Sequence, residues 1–169
     1  MAISSRLKTF LTKQKIKYKG HKHPTAYTAQ EIAAAQHVSG KQLAKCVLVN
    51  TDKGYRLAVL PAIELVDFAK LKKVLRVKKL SLASEADIKR LFPDVDVGAM
   101  SLFGNLYDVP TVVDKTLADA NEIVCNAGSH TETITLRYRD FEKWAKPKVG
   151  AFGLPVSKAA KAKKRAKSA

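Results

Sequence analysis

"KCVLVNTDKGYRLAVLPA", residues 45–62, sets two apolar runs on either side of the turn "DKG" at 52–54. Aspartate and glycine accept the tight backbone of a chain reversal, so the stretch predicts two strands joined as a β-hairpin. The rest of the chain has to be fitted around that antiparallel pair. Upstream, "SSRLKTFLTKQKI" puts Leu7, Phe10 and Leu11 on one helical face, with Ser4 or Ser5 as the cap. "KYKGHKH" reads as extended, and "TAQEIAAAQHV" as a helix opened by a capping box of Thr28 and Glu31. "GKQLA" is expected to make a short helical turn into the hairpin.

Downstream, "VDFAKLKKVLRV" has helical spacing, "KKLSLA" is strand-like, and Ser84 caps a helix "EADIKRL" that Pro93 stops. "VGAMSLFGN", "PTVVDKTL", "EIVCNAG" and "TETITLRYR" then read as strands, and "DFEKWAKP" as a closing helix. Strands in hairpin order with helices at the edges predict an α+β protein built on a curved, mainly antiparallel sheet. Neither a G-x-G-x-x-G nor a P-loop occurs, which argues against a doubly wound nucleotide fold.

The 169 residues, 46% of them hydrophobic, suffice for one domain with a real core. The expected limits are 1–154 for the domain and 155–169 for a basic, disordered tail. No run approaches the roughly 18 to 20 apolar residues of a membrane span. The N-terminus lacks an apolar leader, and Cys46 and Cys125 lie far apart in strand-like runs, so a reduced, cytoplasmic protein is expected.

Charge is the strongest compositional signal. Thirty-one basic residues against fifteen acidic ones give a formal +16, the footprint of a polyanion partner. The tail "SKAAKAKKRAKSA" carries six of the basic residues and no acidic one, yet removing them still leaves +10 on the body. Nucleic acid is therefore expected to meet both. Lys161, Lys163, Lys164 and Arg165 would supply phosphate contacts in the tail.

Conventional catalytic patterns are missing. His21 and His23 fall on one side of a strand without further ligands, so no metal and no cofactor are expected. Cys46 in "KCVLV" has the pattern of a buried strand, where cysteine behaves as a small hydrophobe. "NAGSH" at 126–130 bends the chain at Gly128 and Ser129 and sets His130 at the mouth of the next strand. On these five residues alone a tight hairpin with an incidental histidine is the favoured reading, and a loop whose amides approach a ligand is the alternative.

Three segments, "GKQLAKCVLV" at 40–49, "VGAMSLFGNLYDVPTVVD" at 97–114 and "NAGSHTETITLRYRDFEK" at 126–143, together resemble the YbaK-like family. These are free-standing relatives of the editing domain inserted in bacterial prolyl-tRNA synthetases. The resemblance covers nearly all of residues 1–145 and implies a mixed α/β fold around a barrel-like sheet. It also implies hydrolysis of the ester of mischarged aminoacyl-tRNA, most readily tRNA(Pro) carrying a small wrong amino acid such as alanine. The family's lysine falls on Lys45 as the catalytic residue. Its substrate-binding positions fall on Gly98, Ala99, Met100 and Ser101, on Gly128, Ser129 and His130, and on Tyr27.

Prolyl-tRNA synthetase is implied as a protein partner. The ribose hydroxyl beside the ester is thought to assist attack in this family, which suits a chain without a nucleophile. Relatives often carry proline where Leu102 stands, so the loop has lost the stiffening that a fixed φ gives. A non-catalytic module that binds tRNA or another nucleic acid through the same fold is the alternative reading.

Overall fold

The structure is a computed structural model that describes residues 3–25 and 42–155. The expected helix at 28–38 with its Thr28 and Glu31 box, Tyr27, and the basic tail from 156 onward lie outside the described residues. The chain runs through helix α1 (Ser5–Lys13), strand β1 (Tyr18–Lys22), and the hairpin strands β2 (Ala44–Thr51) and β3 (Gly54–Pro61). It continues through β4 (Glu64–Val66), α2 (Phe68–Leu75), β5 (Leu80–Leu82) and α3 (Glu85–Leu91) to a 3₁₀ turn at Gly104–Tyr107. Last come β6 (Thr111–Asp114), α4 (Lys115–Ala118), β7 (Glu122–Asn126), β8 (Glu132–Arg137), α5 (Tyr138–Ala145), β9 (Lys148–Gly150) and β10 (Gly153–Pro155).

The hairpin forms in the expected register, from Lys45 opposite Leu60 to Thr51 opposite Gly54. Gly54 takes φ +104° at its turn, where an L side chain would be strained. Ser4 is the cap of α1, its Oγ accepting the Leu7 amide at 3.3 Å. Ser84 and Asp87 close a reciprocal capping box on α3.

Strands β1, β8 and β7 make one antiparallel sheet, β4 and β10 a two-stranded ribbon, and β5-β2-β3-β6-β9 a five-stranded sheet. The expected sheet was barrel-like; among the described residues no closed barrel is found. Closure needs an unbroken ladder, but the described strands of the two larger sheets meet through one parallel bridge, Leu43 to Val124, with the Val124 amide donating to Gln42 O at 3.1 Å. Most pairings are antiparallel as expected, but β3–β6 and β6–β9 are parallel. β3 and β6 run the same way because the chain between them crosses through α2, β5 and α3.

Both faces of the central sheet are covered. Leu48, Leu57 and Val59 join Leu7, Leu11, Phe103, Phe141 and Ile134 in the main core, while Val49, Leu60, Leu71, Val112 and Phe152 form a second core beneath α2. Two-sided burial explains why 46–49 is a continuous apolar run instead of an alternating one. Phe103 and Phe141 meet edge to face at 5.9 Å. Each such fully buried side chain contributes roughly 1.5 to 3 kcal/mol.

Local expectations fail where tertiary contacts override propensity. "VGAMSLFGN" is a loop leading into the 3₁₀ turn, because Gly98 at φ +85° and the Ala99 amide bonded to Asp96 O fold it back on itself. In "GKQLA" no helical turn forms over the described residues: Leu43 bridges to Val124 and Ala44 already opens β2. "PTVVDKTL" is a strand only to Asp114, whose carboxylate caps α4 through the Thr116 amide at 2.9 Å. The alternation predicted neither the ribbon β4–β10 nor the short parallel edge β9.

Candidate active site

Two loops are clasped at one end of the molecule. The Gly128 amide donates to Ala99 O at 3.0 Å, and the Asp96 amide donates to Gly128 O at 2.9 Å. Gly128 sits at φ +108° with Ser4 so close that an added Cβ would stand 2.9 Å from Ser4 Cβ. Its glycine is therefore required by backbone sterics. The sequence had offered Gly128 as an amide donor to substrate, but that N–H is spent on the clasp.

Gly98 is more open: a Cβ there would meet first the His130 ring, 3.8 Å away at Cε1. Ala99 and Met100 are buried in the core and Ser101 nearly so, which leaves the loop's backbone and Gly98 facing outward. Ser129 is buried with its Oγ 3.3 Å from Thr131 Oγ1. Leu102, at the position where proline is common in relatives, is wholly buried in the main core. Apolar burial anchors the loop here in place of a fixed φ.

Lys45 lies near the start of β2, two residues past the Leu43–Val124 bridge. Side chains alternate along a strand, so Lys45 faces opposite to Cys46, whose thiol donates to Ser101 O at 3.4 Å. By the same alternation, Lys45 shares the Leu43 face and Asn126 the Val124 face. The bridge puts those two faces side by side. Among the described residues the two strands pair only at this bridge, and Lys45 and Asn126 stand at equivalent positions, each two residues beyond it.

Asn126 ends β7 opposite Thr133 and donates from Nδ2 to Gly98 O at 3.4 Å. Gly98 is thus bonded to Asn126, with the His130 ring the nearest group to the space a side chain there would fill. Lys45 joins them by strand geometry.

Burial pulls the Lys45 ammonium below the ordinary lysine value, and the Glu64 charge opposes that pull. Glu64 is itself shifted upward, first by burial and then by Asp114, while Lys45 acts in the other direction. Burial also works against the Asp114 charge. Bonds from the Thr116 hydroxyl and from the amides of Phe152, Thr116 and Gly153 nevertheless hold its carboxyl below the usual range. Gly153 permits this crowding, since a Cβ there would collide with Glu64 Oε2.

Sequence reasoning missed Glu64, Asp114 and Asn126. The available signals were a carboxylate interrupting the apolar "AIELV" and the Asp-x-Thr cap at 114–116.

Burial raises the Cys46 thiol well above its ordinary value and Cys125 to about 12, so both are protonated at neutral pH and unsuited to attack. Among the described residues no three His, Cys, Asp or Glu side chains gather into a metal site, and no helix is long and apolar enough to cross a membrane. At the far end of β8 from His130, Lys17, Lys19 and Arg137 line a groove that holds one carboxylate, Glu122. The body therefore carries basic surface of its own.

The chain belongs to the aminoacyl-tRNA editing domain family, whose model matches residues 23–144. It is a deacylase of that family, in the YbaK-like group its three segments resemble.

The chain is 28% identical over 148 residues to the prolyl-tRNA editing protein ProX of Acetoanaerobium sticklandii, covering 84% of this chain and 90% of the relative. Its fold is similar to that of the hypothetical protein APE2540, with a TM-score of 0.80 and 16% identity over 88% of this chain and 99% of the other. It is also similar to a candidate trans-editing enzyme for prolyl tRNA synthetase, with a TM-score of 0.75 and 16% identity over 89% and 98%.

Proposed function

We propose that this protein works in trans on tRNA(Pro) carrying a wrong small amino acid, alanine first, and hydrolyses the ester to free amino acid and intact tRNA. The observation that carries the reading is Lys45, partly desolvated at the point where β2 and β7 part. A cation in a partly dry site interacts more strongly with phosphate or polar substrate atoms than it would in water.

The ester needs little activation. Water attacks the carbonyl carbon, the tetrahedral intermediate expels the ribose 3′ oxygen, and that oxygen takes the proton the water gives up. The neighbouring ribose hydroxyl assists. The site's contribution is to hold the terminal adenosine and orient the water. In this reading Lys45 supplies charge, the Gly98 loop and His130 shape the amino-acid pocket, and Tyr27 completes it.

The basic surface of Lys17, Lys19 and Arg137 and the segment 155–169, through Lys161, Lys163, Lys164 and Arg165, would hold tRNA phosphates. Prolyl-tRNA synthetase is the proposed protein partner, and the cytoplasm the proposed site of action.

The deciding experiment is a deacylation panel with tRNA(Pro) and other tRNAs charged with alanine, cysteine, serine, threonine and proline. Fastest release of alanine from tRNA(Pro) is expected. Tight tRNA binding without release of any amino acid would replace the enzyme with a binding module.

A further inference from the structure

The Asn126 carboxamide has an assigned orientation. Its Nδ2 lies 3.4 Å from Gly98 O, and a carbonyl can only accept, so the nitrogen end must point to the loop. The oxygen end, Oδ1, is buried and accepts no hydrogen bond among the described residues. A buried acceptor left empty carries the desolvation penalty of its lone pairs. Such a cost persists where a ligand later repays it. The position is the end of β7, bonded to Gly98 and two residues past the Leu43–Val124 bridge, the same step that separates Lys45 from it on β2.

We propose that Asn126 Oδ1 is the acceptor for the α-ammonium of the esterified amino acid. This rests on the deacylase reading above and adds to it the group that recognises the substrate as an amino acid. The chemistry fits a site whose neighbouring strand carries a cation at the equivalent position. Lys45 repels the ammonium and attracts the phosphate and ester end, while a neutral amide oxygen accepts from the ammonium without neutralising Lys45. The substrate is thereby oriented with its amino end on β7 and its ester toward β2. Because Asn126 also holds the Gly98 carbonyl, one side chain fixes both the loop and the substrate's amino end. It is a specificity-determining residue for the class of acyl group.

The test compares alanyl-tRNA with lactyl-tRNA, the same ester with a hydroxyl in place of the ammonium, on the full-length protein. Asn126→Ala should lower kcat/KM for the alanyl ester roughly 10- to 100-fold, the range expected for a lost hydrogen bond to a charged group. It should change the lactyl ester several-fold less, so that the preference for the charged substrate collapses. Asn126→Asp keeps an acceptor and should keep that preference, and it decides the matter if the alanine variant fails to fold. Equal loss on both esters, or no loss on either, would overturn the assignment. If the unaltered protein released neither acyl group, the deacylase reading itself would fall, and Asn126 with it.

Discussion

The Asp114 carboxylate reaches 39 positions along the chain to accept the Gly153 amide at 2.7 Å, and the same oxygen takes the Phe152 amide at 2.9 Å. With the Thr116 amide and hydroxyl on its other oxygen, it ties β6, α4 and the entry to β10 into one joint. Asp114→Ala is expected to cost about 3 kcal/mol, because several buried donors lose a charged acceptor at once. Chemical denaturation of the two proteins measures it, and a loss below 1 kcal/mol would contradict the joint.

Acid should weaken the same joint. The folded carboxyl titrates below its unfolded value of about 3.9, so its stabilisation is full above that value and drains away as pH falls through the folded one. Asp114→Asn removes the titration. Its stability curve should be flatter below about pH 4 than that of the unaltered protein, as read from thermal midpoints across pH.

Lys45→Ala should abolish deacylation, at least 100-fold in kcat, with a nearly unchanged melting temperature, since the residue contributes charge more than packing. A folded, fully active variant would remove Lys45 from the mechanism.

If the charged form of Lys45 is the working one, activity falls as pH rises through its depressed value, below the ordinary lysine range of about 10.4. Glu64 supports that charge, so Glu64→Gln should move the alkaline limb of the kcat/KM profile to still lower pH. Lys45→Arg should abolish the limb. A profile indifferent to both variants would assign the limb to another group.

The two positive-φ glycines of the clasped loops should respond differently. Gly128→Ala meets both backbone strain and the Ser4 contact and is expected to cost more than 2 kcal/mol. Gly98→Ala meets strain alone, about 1 to 2 kcal/mol, and should hurt KM through the His130 side of the pocket. The reverse order in urea midpoints would refute the steric account.

The hairpin at 45–62, the caps at Ser4 and Ser84 and the strand pair β7–β8 were legible because each rests on local pattern: turn chemistry, helix spacing, alternation. The loop at 97–105 was not, because its apolar residues Ala99, Met100 and Leu102 are buried from a non-repetitive backbone, and burial without periodicity mimics a strand. Closure of the barrel-like sheet failed for a non-local reason, the parting of β2 from β7 after one bridge. Within the site, Gly128 and His130 were read from "NAGSH", but its first letter carried a contact to Gly98 that no spacing rule announces.

The reciprocal bonds between Gly128 and the 96–99 turn also bear on how such a site can diversify. A single-residue insertion or deletion in either loop shifts the donor away from its acceptor and forfeits both bonds together. Loop length is thus closed to gradual change. New amino-acid preferences have to arise by exchanging side chains on a fixed frame, at positions such as 102, 126 and 130, where substitution leaves the two backbone bonds in register.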